Sequence, residues 1–211
     1  MSPQELFRQL VYLYRNARKP IFYHPNIKRG KSHTIASQVE DLFAFYLSIN
    51  LTKNYKFFVD QPLSLGRRRF NPDISIIENG ILIHALDIKT DLGWNRDGFI
   101  EFCINKEKTI KEFFGVELSV TDGVTKEKFK ITTLPKFHYH IVILSGCNIN
   151  KDKLNTHLKA ISKLKYVHAY VLFPNEYPNY YGKDVEQFIN SVTINEKDFK
   201  RLEKALISRY T

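Results

Sequence analysis

The sequence predicts an α/β fold. Three observations carry that expectation. Apolar residues recur at helical spacing in two stretches near the start of the chain. Isoleucine-rich runs on either side of Glu78-Asn79-Gly80 read as paired strands. From Phe137 to Phe173 a buried strand, a basic helix and a second buried strand follow one another, the order of a strand-helix-strand crossover.

Composition sets the limits. At 211 residues the chain is long enough for a substantial core, and one domain over 1–211 is expected. Within it lie an N-terminal helix and basic loop (1–34), a core (35–174) and a C-terminal loop with helices (175–211). Hydrophobic residues make up 43%, which argues against a disordered chain. The net charge of +10 and the pI near 9.5 suit a polyanionic partner. Two cysteines, Cys103 and Cys147, are too few for a disulfide framework or a zinc cluster. No secretory leader and no membrane-length apolar run is visible, so a cytoplasmic location without a membrane partner is expected.

The elements follow in order. Pro3–Arg18 is helical, with Leu6, Leu10, Leu13 and Tyr14 in phase, and Lys19-Pro20 ends it. His24–His33 is a polar loop in which Lys28, Arg29 and Lys31 can grip phosphates. Thr34–Asn50 is the clearest helix, striped by Ile35, Val39, Leu42, Phe43 and Tyr46. Glu40 lies on the flank of that stripe and Asp41 on the polar side. Tyr55–Asp60 reads as a short strand and Gln61–Gly66 as a loop. Arg67, Arg68 and Arg69 come next. Three adjacent arginines suit a phosphate backbone, although in an extended segment at most two can face one nucleic-acid strand.

The hairpin follows, with Ile74–Ile77 in one strand and Ile81–Ile88 in the other. After a loop at Thr90–Arg96, Asp97 is expected to cap a helix that runs to about Phe114. Ile100, Cys103, Ile104, Ile110 and Phe114 would face inward, with Lys106 and Lys108 exposed. Val116–Thr132 resembles a second hairpin turning at Asp122-Gly123. Lys126, Lys128 and Lys130 would share one face, either lying along a backbone or guarding an edge strand. His138 and His140 share a face of the strand Phe137–Ser145. No third ligand is spaced to join them, so they read as a structural pair. A basic helix covers Asn150–Lys165 and a buried strand Tyr166–Phe173. In the loop Pro174–Gly182, Tyr177, Tyr180 and Tyr181 suit base stacking or a dimer interface, and the choice stays open. Short helices over Lys183–Ser191 and Glu196–Ser208 close the chain.

The turn between the hairpin strands decides which side chains share a face. Asp87 and Lys89 are two apart and point the same way. A two-residue Asn79-Gly80 turn pairs Glu78 with Ile81 and Asp73 with Leu86, so Asp73 faces away from Asp87. A three-residue loop, Glu78 to Gly80 with Gly80 left-handed, pairs Ile77 with Ile81 and Asp73 with Ala85. Asp73 then becomes a diagonal neighbour of Asp87, roughly 7–8 Å away between backbones. The three-residue loop is the expected register; a bulge near Asp73 would have the same effect. Two converging carboxylates repel unless something positive lies between them, and a hard divalent cation such as Mg²⁺ fits. Lys89 beside it can orient or deprotonate a water, or neutralise charge on a phosphate.

Pro72-Asp73, thirteen residues, then Asp87-Ile88-Lys89 resembles the PD-(D/E)xK signature of the restriction-endonuclease-like nucleases. The element order from about Ile35 to Pro174 is loosely similar as well. The resemblance implies a mixed central β-sheet flanked by helices and Mg²⁺-dependent hydrolysis of phosphodiester bonds, with Mn²⁺ able to substitute. It also implies that an acid from a helix before the hairpin joins the metal site, and the matching position is Glu40. Asp73, Asp87 and Glu40 would then hold the metal and Lys89 would position the attacking water. Double-stranded DNA is the expected substrate and a type II restriction enzyme the leading subclass, with homodimerisation open. The alternatives are a repair, junction-resolving or RNA-cutting nuclease of the same fold, or a non-catalytic nucleic-acid-binding protein.

Overall fold

The structure, a computed structural model, describes residues 1–22, 24–93 and 96–208. Among these, six helices surround one mixed sheet of eight strands. Helix α1 (Pro3–Ala17) starts where the Ser2 side chain accepts a hydrogen bond from the Glu5 N–H, with Pro3 at the first helical position. Helix α2 (Ala36–Asn50) buries Val39, Phe43, Tyr46 and Leu47 against α1 and the sheet.

Strand β1 (Lys56–Val59) is followed by a short hairpin, β2 (Leu63–Leu65) and β3 (Arg68–Phe70). Strands β4 (Ile74–Glu78) and β5 (Ile81–Lys89) complete an antiparallel meander with β1. Helix α3 (Phe99–Lys111) then crosses over the sheet. The chain returns through β6 (Glu117–Thr121) into β7 (Lys128–Ser145), which runs parallel to β5. Helix α4 (Lys151–Ile161) leads to β8 (Val167–Phe173), parallel to β7, and helices α5 (Val185–Asn190) and α6 (Glu196–Ile207) finish the chain.

Strand alternation divides the core. Leu86, Ile88, Val142, Leu144 and Leu172 face α1, α2, α5 and α6. Ala85, Tyr139, Ile141, Ile143 and Val171 face α3 and α4. The carboxyl ends of the parallel strands β5, β7 and β8 thus lie together, the place where open α/β sheets bind ligands.

Several expectations are corrected. Gln61–Gly66 is not a loop throughout: its Leu63–Leu65 forms β2, too short to leave a periodic signal, and pairs with β3 and β6. Asp97 does not cap α3. Gly98 takes that position without a side-chain bond, and Asp97 pairs with Lys153. The second hairpin forms, with β6 as its first arm, but its second arm and the strand Phe137–Ser145 are one strand, β7. The pairing of β7 with β5 is interrupted at Leu134–Phe137, where Pro135 has no N–H to donate to a ladder. The loop ahead of it is closed by Asp122, whose Oδ1 accepts from the N–H groups of Val124 and Thr125. Lys126 therefore falls in the loop at φ +64°, off the face of Lys128 and Lys130.

The β4–β5 register departs from expectation in an informative way. Glu78 pairs with Ile81, so the turn is the tight two-residue Asn79-Gly80. Both residues have positive φ, +52° and +78°, as a type I′ turn requires. The three-residue loop is wrong, but the left-handed Gly80 is right. A bulge then shifts the register: Ile77 pairs with Leu82 and Ile76 with His84, so Ile83 is extra. Beyond it Ser75 pairs with Ala85 and Ile74 with Leu86. One further step puts Asp73 opposite Asp87, on one face.

Gly80→Val tests the turn. No atom lies within 4 Å of the position a Cβ would take, so the penalty is backbone strain alone. Urea unfolding should report a loss of roughly 1–3 kcal/mol, and an unchanged midpoint would contradict the left-handed assignment.

Candidate active site

The site is built from the carboxyl end of β5, the segment before β4, and residues of α2 and α3, which cover opposite faces of the sheet. Asp73 follows the buried Pro72, one residue before the β4–β5 ladder. Its Oδ2 accepts the Ile88 N–H at 2.6 Å, so the side chain continues the pairing where the backbone stops. The Asp73 carbonyl in turn accepts the N–H of Asp60.

Asp87 is almost wholly buried. Its Oδ1 accepts a 2.5 Å hydrogen bond from the Tyr139 hydroxyl, and Tyr139 faces it from β7. Its Oδ2 lies 3.4 Å from Lys89 Nζ and 3.2 Å from Lys106 Nζ. Lys89 Nζ is also 4.0 Å from Asp73 Oδ2, which puts one ammonium between the two acids. Lys106 also donates to the Tyr139 hydroxyl at 2.8 Å.

Electrostatics follow from burial. Desolvation raises the Asp73 pKa, and the Asp87 charge adds to the rise; Lys89 and the Ile88 N–H oppose it. Burial and the adjacent Asp87 carboxylate also raise the Tyr139 hydroxyl well above its ordinary value, so it stays a donor. Glu40 comes from α2 and lines a cavity of about 230 Å³ with Ala36, Ile88, Lys89 and Asp91. Burial pushes its carboxyl up to about 7, helped by the charges of Asp73 and Asp60.

The sequence-predicted residues are therefore partly gathered. Asp73, Asp87 and Lys89 meet through side-chain contacts, and Glu40 shares a cavity with Lys89 and feels Asp73. Three participants are additional. Tyr139 sits in a strand legible from its apolar run, but its partner depended on the β5–β7 register. Lys106, expected to be exposed, turns inward: it follows the buried Cys103 by three residues, and that phase was the available signal. Asp60, read only as the end of β1, takes φ +46° and places its charge near Glu40.

The basic segments are exposed. Arg68 pairs with Glu112 at 2.8 Å, and Arg67 and Arg69 lie beside it in the chain. Arg29 donates to the Lys31 carbonyl in an exposed loop with Lys28, and that loop leads to Ala36 at the cavity. Lys130 pairs with Glu117 on the adjacent strand. Trp94 and Asn95, in the loop expected after Lys89, lie outside the described residues.

In the aromatic loop, Tyr177 packs on Tyr14 and Tyr180 stacks on Phe188 with centroids 4.1 Å apart. Tyr181 is 74% exposed, with the Arg18 guanidinium over its ring.

The histidine pair is larger than expected. His84 on β5 and His168 on β8 join His138 and His140 across the sheet. His138 Nδ1 is 2.7 Å from His168 Nε2, His140 Nε2 is 3.2 Å from His84 Nδ1, and His140 Nδ1 is 3.1 Å from the Tyr170 hydroxyl. The His84 signal was hidden inside the apolar run of β5.

Among the described residues no group of three or more His, Cys, Asp or Glu side chains stands in a ready metal cage. The donors that do converge, Asp73 and Asp87 with Glu40 nearby, are carboxylate oxygens, the kind a hard divalent cation takes. The two acids already share a cation in the Lys89 ammonium. In kind these donors fit Mg²⁺, while in charge the two acids are already balanced by Lys89 and Lys106, so a bound cation would have to displace an ammonium. No helix among the described residues is long and apolar enough to cross a membrane. Comparisons with family models, curated proteins and solved structures returned no match.

Proposed function

We propose that this chain is a Mg²⁺-dependent endonuclease acting on double-stranded DNA, of the PD-(D/E)xK, restriction-endonuclease-like class, and within it a sequence-specific restriction enzyme. The observation that carries this reading is the placement of Lys89 between Asp73 and Asp87 at the carboxyl end of β5. The element order supports it: a helix, an antiparallel meander bearing the two acids, a crossover helix and a parallel strand. The net charge of +10 supports a polyanionic substrate.

Asp73, Asp87 and Glu40 would hold Mg²⁺, which when bound lowers the pKa of a water and offsets charge on the phosphate. Lys89 Nζ directs a water toward the phosphorus. The water oxygen forms the new P–O bond and gives up a proton to solvent, the bridging P–O bond breaks, and the leaving oxygen takes a proton from a solvent water. Tyr139 fixes the orientation of Asp87 through Oδ1, leaving Oδ2 turned to the site. Exposed Arg67, Arg69 and the Lys28–Lys31 loop hold the DNA backbone through charge.

Incubation with supercoiled plasmid and Mg²⁺ tests the proposal. Discrete fragments that EDTA abolishes are expected. A smear would replace the restriction reading with a non-specific nuclease, and cleavage of RNA alone would move the substrate. Intact DNA and RNA under all Mg²⁺ and Mn²⁺ conditions would reject the nuclease.

A further inference from the structure

We propose that Lys106 is a tethered counter-cation of this site, competing with a divalent cation for Asp87 Oδ2 and passing to the substrate phosphate when displaced. The proposal rests on reading the site as cation-dependent.

The geometry is specific. Phe99, Cys103 and Ile110 anchor α3 on the sheet, and their phase turns Lys106 toward Asp87. The Lys106 side chain is only 22% exposed, and its ammonium lies 5.3 Å from the Phe102 ring centre and 4.7 Å from that of Tyr139. An exposed lysine ordinarily keeps its head in water. Here the head donates to Tyr139, Tyr139 donates to Asp87 Oδ1, and the ammonium returns to Asp87 Oδ2. That closes a ring of three side chains.

Charge makes the ring a competitor. Asp73 and Asp87 face Lys89 and Lys106, two acids against two ammoniums. A Mg²⁺ on Oδ2 would bind at about 2.1 Å. With Lys106 at 3.2 Å from the same oxygen, the two cations would stand within roughly 5.5 Å and repel. Lys89 is ion-paired with both acids and Lys106 with Asp87 alone, so displacing Lys106 breaks one ion pair and its Tyr139 hydrogen bond while leaving the two acids bridged. Its flexible stem lets the freed ammonium follow the nearest new anion, which is the phosphate brought to the site.

Mn²⁺ binding, measured by calorimetry on the full chain without nucleic acid, separates this role from a structural one. Lys106→Met should bind Mn²⁺ about tenfold more tightly than the unaltered protein, yet cleave plasmid more slowly because the phosphate loses a cation. Lys108→Met, which removes an exposed charge from the same helix, should stay within about twofold. Lys106→Gln, which keeps a donor for Tyr139, guards against misfolding of the methionine variant, and circular dichroism reports on both.

Unchanged, weaker or absent Mn²⁺ binding in folded Lys106 variants would overturn the proposal, as would equal tightening in Lys108→Met. Tightening that Asp87→Asn abolishes, in a protein that cuts no nucleic acid, would sustain Lys106 as competitor and reject the nuclease. Normal cleavage without tightening would reject the Lys106 role alone.

Discussion

Asp73→Asn, Asp87→Asn and Lys89→Ala should each lose at least about a thousandfold in Mg²⁺-dependent plasmid cleavage while keeping the fold. The fold is spared for local reasons. An asparagine at 73 still offers an oxygen to the Ile88 N–H, and one at 87 still accepts from Tyr139. Lys89→Ala leaves Asp87 paired with Lys106 and Tyr139. What each variant removes is charge: half of a carboxylate pair, or the ammonium between them. Ca²⁺ should support DNA binding by the unaltered protein without cutting, because it tolerates looser coordination. Full cleavage by Asp87→Asn with the same fragment pattern would end the assignment of this cluster as the active site.

Acidification should destabilise the protein steeply, beginning near pH 6.5. The cause is the histidine cluster. Burial, first of all, lowers the pKa of His84 to about 3 and of His138 to about 4, and holds His140 well below its ordinary value. The neighbouring histidines add to the fall, as do Lys53 beside His84 and Arg201 beside His168; Glu107 opposes it at His138 and His168.

A depressed histidine is neutral in the folded chain and takes a proton near pH 6.5 in the unfolded one. Its contribution is thus complete above pH 6.5 and is lost as pH falls toward the folded value. From pH 6.5 to 5 the loss is about 2 kcal/mol for each fully buried histidine. At roughly 2–4 °C per kcal/mol for a chain of this size, the two most buried rings together lower Tm by about 10 °C.

Glu40 works the other way. Its raised carboxyl favours the folded state at low pH, and that advantage is lost as pH rises from 4.5 through about 7. Glu40→Gln should therefore steepen the acid fall and raise Tm at pH 8. A Tm that stays level between pH 7.5 and 5 in both proteins would refute the account of the cluster.

Much of this was legible beforehand. The stripes of α1 and α2, the paired isoleucine strands and the apolar run of β7 carry signals dense enough to survive tertiary context. Convergence of Asp73 with Asp87 and Lys89 was also legible, because chemistry demanded one face and alternation allowed only a few ways to reach it. The route was not. Asn79-Gly80 is a strong signal for a two-residue turn, and the bulge at Ile83 that rescues the face has no local mark. Lys106 and Tyr139 were missed for a different reason. Their roles depend on how α3 and β7 pack beside β5, a long-range relation that neither segment encodes alone.

The bulge at Ile83 makes this site a matter of parity. Each residue added to or taken from the stretch between Asp73 and Asp87 exchanges the two faces of β5 beyond it, while a change of two restores them. The tight turn alone gives the wrong parity, and Ile83 corrects it. Substitutions along the hairpin can therefore alter packing without moving the acids apart, whereas loss of a single residue would turn Asp87 toward α2 and away from Tyr139. Hairpins of other lengths can carry the same pair of acids, provided that turn and bulges together keep the count of reversals even. The distance in sequence between two such acids is then a poor ruler for sites of this kind, and the face they share is the quantity that persists.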